Sequence, residues 1–420
     1  MSTQITDDIF QCVIVGGGVH GVHLAQRLLE DTHLTPGEIA IVDPHDQLLE
    51  SFRRKARACG MESLRSTYVQ HVGTEPFGLE SFAEAQDRTE ELQPTVDYPD
   101  RPSLDLFVDF ADHSIDTKQL DALHIQATVE SIAAREGGEL STRNGGGFEL
   151  VTDAGRVETR TCVLAVGHGD RYRIPTWAQG VDGVAHVWDG FEFDRDVGHT
   201  LVVGGGITAA QLAVRLDERV TMVSRHPLQW EVSEAEPPWL NWHHIERNLH
   251  CHPPASKARL ETVREARYSA TIPPHLYDTI DSRIDDGRLR ILQGDIETAR
   301  ATDSGNVRLA LDDGLAIEAD QVVCATGFEP VFDHPLVDRL VETLDLDRGY
   351  RGLPMVDDST LAWQTTAGRS LPLYVSGALA LGVVGPYAPN IPGARRSADR
   401  ITTALETGGV DVVDSAVRAG

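Results

Sequence analysis

The sequence predicts an α/β fold with two parallel-sheet units, the second inserted into the first. Three observations predict it. One pattern occurs twice, as VIVGGGVHGVHLAQRL at 13–28 and LVVGGGITAAQLAVRL at 201–216. A second pattern also occurs twice, as CVLAVGHGDRYRIP at 162–175 and VVCATGFEP at 322–330, each an apolar run ending in a small-residue turn with a proline shortly after. The third is the character of the runs: rich in β-branched residues and apolar throughout, they suit buried parallel strands.

Superposed, the two long copies share the glycine triplet and then Leu24/Leu212, Ala25/Ala213, Arg27/Arg215 and Leu28/Leu216. Each places Gly-x-Gly-x-x-(Gly/Ala) between a strand and a helix: Gly16, Gly17, Gly18 and Gly21 in the first, Gly204, Gly205, Gly206 and Ala209 in the second. The first glycine permits a tight turn. The middle one admits a pyrophosphate close to the backbone. The third position must be small so that helix and strand pack closely. The phosphates then meet the positive helix end, where free N–H groups point outward. Both copies therefore read as Rossmann-like dinucleotide-binding units, one dinucleotide each.

The second strand of the first unit, EIAIVDPH at 38–45, ends in Asp43, a carboxylate placed to accept from ribose hydroxyls. The corresponding strand of the second unit, RVTMVSRH at 219–226, ends in Ser224-Arg225-His226. A carboxylate there would repel a 2′-phosphate, whereas serine and arginine bind one. The second unit is expected to prefer NADPH.

The organisation follows from these marks. Residues 1–180 and 328–420 form the first domain, and 196–327 form the second. HIQATVESI at 124–132 reads as one strand, and 147–167 as three short ones. The connector HGDRYRIPTWAQGVDG is punctuated by glycine and proline. His186 just beyond it reads as a linker histidine. The segment 230–273 reads as a polar, tryptophan-bearing insertion facing substrate or solvent. GRLRILQG, NVRLALDDG and LAIEADQVVCATGFEP return to strands. Residues 371–405 read as a strand, a glycine-rich loop and a helix starting near Ile391, again offering a positive end to an anionic ligand.

Composition narrows the partners. There are 65 acidic against 37 basic residues, a formal charge of −28, and only three lysines, Lys55, Lys118 and Lys257. Many carboxylates with few lysines suit a halophilic surface, where salt screens self-repulsion. The charge excludes nucleic acid and anionic membrane as partners. No apolar stretch approaches a membrane span, and the acidic N-terminus lacks a signal-peptide pattern. A cytoplasmic protein acting on a small molecule is expected. The five cysteines form no CxxC or CxxxxC pair, which excludes dithiol flavoenzymes, and three of them (Cys12, Cys162 and Cys324) sit in apolar runs. His243, His244, His250, Cys251 and His252 lack a regular ligand spacing, so no metal is expected.

The chain resembles the two-dinucleotide-binding flavoproteins. Within them, CATGFEP at 324–330, GPYAPNIPGARR at 385–396 and GMESLRSTYVQHVGTEPFGLESFA at 60–83 resemble the flavin-dependent N-hydroxylating monooxygenases, the lysine and ornithine N-hydroxylase group. The resemblance implies FAD in the first unit and NADPH in the second. It places Gly16, Gly17, Gly18 and Gly21 at the FAD pyrophosphate, Asp43 at the AMP ribose and the Val129 backbone at the adenine. Gly167 and Gly377 belong to the same FAD site, with Asn390, Ile391 and Gly393 near the flavin pyrimidine. Gly204, Gly205, Gly206, Ala209, Ser224, Arg225 and Gly327 would bind NADPH. Arg65, His71 and Asn390 are candidates for lining the flavin, and no catalytic residue is assigned. The sequence departs at Ser376-Gly377-Ala378, where many relatives carry Gly-Asp, so a carboxylate contact to the ribityl chain is not expected. The implied reaction is oxygenation of an amine or sulfur nucleophile through a flavin hydroperoxide. Electron transfer to another acceptor, and nucleotide binding without turnover, remain as alternatives.

Overall fold

The computed structural model describes residues 9–135, 146–193 and 197–407 of the 420. Two parallel-stranded sheets dominate it. The first runs in the order Ala362–Gln364, Ser370–Val375, Gly155–Leu164, Phe10–Val15, Ile39–Asp43, His124–Gln126, with Phe148–Thr152 and Val129–Ala134 added as an antiparallel extension. The second runs Leu289–Gln293, Arg219–Ser224, His199–Val203, Gln321–Cys324, Val184–His186, every pair parallel.

The two glycine-bearing repeats hold the same place in each sheet. Val13 pairs with Ala40 on one side and Cys162 on the other. Leu201 pairs with Thr221 and Val322 in the same way. Parallel strands covered on both faces are continuous hydrophobic runs, and Cys12, Val13, Ile14, Leu201 and Val202 are fully buried. Cys162 and Cys324 are buried small core residues in the strands that follow. The chain leaves the first sheet after Leu164, builds the second, and returns through the antiparallel pair Ala362–Gln364 and Ser370–Val375 and the helix Ile391–Glu406. That helix packs along Val19–Asp31.

The two crossover segments pair with each other. Tyr172 and Phe328 form an antiparallel bridge. The Arg173 amide donates to the Gly327 carbonyl at 2.9 Å, and the Glu329 amide to the Arg171 carbonyl at 3.0 Å.

Several local expectations need correction. The segment 147–167 contains two strands, not three, because Gly155–Leu164 runs ten residues unbroken from the antiparallel extension into the parallel sheet. The segment 124–132 is broken at Thr128, whose amide is taken by the Asp153 carboxylate at 2.8 Å. His186 is not in a linker: it ends the strand Val184–His186 at the edge of the second sheet and is 1% exposed. The strand Ile296–Ala301 was not expected; it starts a small antiparallel sheet with Val307–Leu311 and Ala316–Ala319.

The segment 230–273 forms the helices Trp242–Asn248 and Lys257–Ala266 and has a core of its own. Trp239, Ile245, Leu249 and Val263 pack against Tyr387 of the first unit. The fully buried Arg259 grips Asp358 through both terminal nitrogens, at 2.5 and 2.6 Å. Much of this insertion is therefore packed inward rather than left to solvent.

Candidate functional site

The first glycine turn is dictated by close backbone approach. Gly16 has φ +112°, and a Cβ there would sit 2.4 Å from the Ala165 carbonyl oxygen. In the second turn Gly204 has φ +149°, and its Cβ would sit 2.6 Å from the Ala325 carbonyl oxygen. The two sequence echoes thus meet in space: each glycine motif lies against the small-residue strand end that follows it. A Cβ at Gly21 would lie 1.9 Å from the Gly16 oxygen. The second unit tolerates Ala209 at that place, fully buried.

Gly18 and Gly206 are the N-caps of Val19–Asp31 and Ile207–Arg215, and neither helix is capped by a side chain. A Cβ at Gly18 would meet nothing within 4 Å. Neither first turn contains an acid, and the helix Ile391–Glu406 shares both properties. In so acidic a chain, three uncapped helix ends with no acid in their first turns form positive sites for anions. The cradle left open at Gly18 fits a dinucleotide pyrophosphate.

The residues that end the second strands, Asp43 and Ser224, sit under the middle glycines. The Gly17 amide donates to Asp43 Oδ2 at 2.6 Å, and Asp43 Oδ1 accepts from the His45 amide at 3.0 Å and faces its Nδ1 at 2.8 Å. Three of roughly four acceptor positions on the carboxylate are engaged, so a ribose diol would displace the His45 ring from one. In the second unit Ser224 Oγ donates to the His226 carbonyl at 2.7 Å, and a Cβ at Gly205 would sit 2.2 Å from Ser224 Oγ. Arg225 is exposed at the strand end. Val129 is buried two residues after Ala127, whose amide donates to the Asp43 carbonyl. Gly167 and Gly327, both at positive φ, have open space where a side chain would be.

A third group gathers at the start of the last helix. Gly377, at φ +73°, lies over the His20 ring, its hypothetical Cβ 3.8 Å from the ring atoms. His20 Nδ1 is 2.8 Å from Ser376 Oγ, and burial pushes the imidazole pKa down to about 4, leaving it neutral at pH 7. Its buried Nε2 has no well-formed hydrogen bond. Gly393 is obligatory, since a Cβ would lie 2.3 Å from the Ala388 oxygen and 2.4 Å from that of Tyr387. Ile391 is buried beside it. Asn390 Oδ1 accepts from Arg267 and its Nδ2 donates to Glu234 Oε1, both at 3.1 Å.

Arg65 and His71 do not join this group through their side chains. The Arg65 guanidinium is held by the carbonyls of Glu231, Val232 and Ser233 and by Thr271 Oγ1, at 2.7–3.0 Å. It ties the loop after Gly60 to the insertion. His71 is fully buried, edge-on to Phe110 at 4.9 Å between ring centroids. Burial pushes its pKa down to about 3. Sequence reasoning missed His20, Glu234 and Arg267. His20 stands inside the first glycine motif and was legible in principle. Glu234 and Arg267 reach Asn390 across 156 and 123 residues, and no local pattern signals that. Among the described residues, no group of three His, Cys, Asp or Glu side chains could hold a metal ion, and no helix is long and apolar enough to cross a membrane.

Residues 13–169 match a family model described as FAD-NAD(P)-binding. No curated protein sequence matches the chain. Solved structures do. The ornithine N-hydroxylase of Kutzneria sp. 744, in a form with reduced FAD, NADP+ and L-ornithine, has a TM-score of 0.76 at 16% identity, covering 95% of this chain and 99% of that one. The ornithine hydroxylase of Pseudomonas aeruginosa in its reduced form gives 0.74 at 18% identity over 96% and 100%. The L-lysine 6-monooxygenase of Pseudomonas syringae gives 0.70 at 19% over 95% and 99%. Residues 13–169 are thus similar to an FAD-NAD(P)-binding family, and the chain shares, over nearly its whole length, the fold of the ornithine and lysine N-hydroxylating monooxygenases.

Proposed function

We propose that the protein is an FAD-dependent, NADPH-using oxidoreductase, a monooxygenase that oxygenates a small amine or sulfur nucleophile. The observation that carries this reading is the duplicated cradle with a changed anchor. Gly16–Gly21 with Asp43 holds FAD; Gly204–Ala209 with Ser224 and Arg225 holds NADPH. Asp43 suits a ribose diol, and an exposed Arg225 beside Ser224 suits a 2′-phosphate. Val129 and Gly167 flank the FAD, Gly377, Asn390, Ile391 and Gly393 border its ring system, and Gly327 borders the nicotinamide cofactor. The domains divide at 1–180 with 328–420, and at 196–327, with the edge strand Val184–His186 added to the second. When bound, FAD would accept hydride from NADPH and activate oxygen. The chain's own residues orient the two nucleotides, exclude water and supply positive helix ends. We assign Arg65 and His71 structural roles. The acidic surface suits a salt-rich cytoplasm.

The test is aerobic NADPH oxidation by FAD-loaded protein in high-salt buffer against a panel of amines and thioethers. Oxygenated product in step with NADPH consumed supports the monooxygenase. Electron transfer to an added acceptor with no oxygenated product overturns it in favour of a reductase. Protein that takes up no FAD overturns the first-unit assignment.

A further inference from the structure

Asparagine is a good N-cap residue because its side-chain oxygen accepts from a first-turn amide. Asn241 does this, accepting from the His243 amide at 2.9 Å. Ser103 and Ser256 cap their helices as well. Asn390 stands at the N-cap of Ile391–Glu406 and does not. Its oxygen is occupied by Arg267 Nη1 and its amide nitrogen by Glu234 Oε1. Pro392 has no N–H, so the Gly393 amide is the natural recipient of a cap from Asn390 and is left without one.

Both restraining residues come from the insertion, and both are built in. Arg267 also donates to the Pro386 carbonyl. Burial lowers the Arg267 pKa, opposed by the nearby Glu234 charge. The neighbouring Tyr387 hydroxyl donates to the Ala235 carbonyl, fixing the chain beside Glu234. The His20 imidazole faces the backbone of Pro389 and Asn390 at the same helix end. The geometry engages both ends of the Asn390 amide while leaving the helix end bare.

We propose that Glu234 and Arg267 are positioning residues of the flavin site: they clamp the Asn390 side chain away from the last helix and so keep its first-turn amides free for the flavin. The proposal rests on FAD binding at this helix end. It gives the insertion a second task besides packing, since the bare helix end exists only while the insertion is docked.

Two measurements test it on the full chain. The first, independent of FAD, is amide hydrogen exchange at Gly393 in the apoprotein. Releasing Asn390 with Glu234→Ala, or with Arg267→Met, lets it cap the helix and slows exchange at Gly393 at least fivefold. Glu234→Gln keeps an acceptor for Asn390 and gives an intermediate value. The second is the FAD dissociation constant on reconstitution, with apoprotein melting as the control for folding. Glu234→Ala weakens FAD five- to tenfold. The double variant Glu234→Ala/Asn390→Ala recovers to within twofold of Asn390→Ala alone, because no side chain is left to cap the helix. Unchanged exchange at Gly393 in both released variants overturns the clamp. So does a double variant that binds FAD no better than Glu234→Ala. Slowed exchange in a protein that takes up no FAD keeps the clamp but overturns its purpose, together with the FAD reading itself.

Discussion

The Gly17 amide donates to Asp43 at 2.6 Å, and this bond joins the turn after the first strand to the end of the second. It fixes the carboxylate where a dinucleotide ribose would lie and orients the glycine turn at once. Asp43→Ala removes both effects. Hydrogen bonds to a charged group contribute about 1.5–3 kcal/mol each. FAD affinity should therefore fall roughly ten- to hundredfold, while NADPH binding by the second unit stays unchanged. Titration of apoprotein with each nucleotide measures both. Equal loss at the two sites would show that Asp43 supports the whole fold rather than one ligand.

Gly21 and Ala209 occupy matching positions with different tolerances. In the first unit a Cβ would lie 1.9 Å from the Gly16 oxygen, and only a backbone shift relieves that. In the second unit Ala209 fills the corresponding place, fully buried. Gly21→Ala should abolish FAD retention on purification. Ala209→Gly should leave NADPH binding intact and cost about 1 kcal/mol of stability, the helix propensity difference between alanine and glycine. Chemical denaturation and flavin content together check the pair.

Ser224 is the counterpart of Asp43, and its hydroxyl is spent on the His226 carbonyl. Ser224→Asp rebuilds a carboxylate beneath Gly205. It should shift the preference from NADPH toward NADH by one to two orders of magnitude, about 1.4 kcal/mol for each tenfold. Arg225→Ala should raise KM for NADPH roughly tenfold and leave KM for NADH unchanged. Steady-state oxidation with both cofactors decides it. An Arg225 variant that weakens both equally would place the arginine outside the 2′-phosphate site.

What the sequence revealed and what it hid divide along one physical line. The glycine turns, Asp43, Ser224 and the helix at Ile391 are set by contacts within a strand–turn–helix unit, and such units repeat as strings. The strand ending in His186 was hidden because three residues carry no period, and its strand character comes from pairing with Cys324. Arg65 looked like a ligand-facing cation; what holds it is a row of carbonyls on a segment some 170 residues away in the chain. Asn390 was visible as a polar residue at a helix start. That its side chain is turned away from the helix depends on Glu234 and Arg267, and long-range polar contacts leave no local mark.

The buried histidines give the protein an acid limit. His20 and His23 have pKa values pushed down to about 4, and His71 to about 3, by burial above all, with nearby Arg395 adding to the effect at His23 and His71. Unfolded, each titrates near 6.5. Between these values the unfolded chain binds more protons than the folded one, so stability rises with pH. The contribution is fully present above about pH 6.5 and is lost as pH falls toward 4, by up to about 1.4 kcal/mol per pH unit for each histidine. His23 is the cleanest probe, because it is 2% exposed and its Nδ1 lies 3.0 Å from the Val72 carbonyl. His23→Gln keeps a donor for that carbonyl and removes the titration. Urea unfolding at pH 7 and pH 5, at one high salt concentration, should show the wild type losing more stability than the variant by about 2 kcal/mol. Equal losses would mean that the cavity around His23 admits water and that the imidazole protonates freely in the folded state.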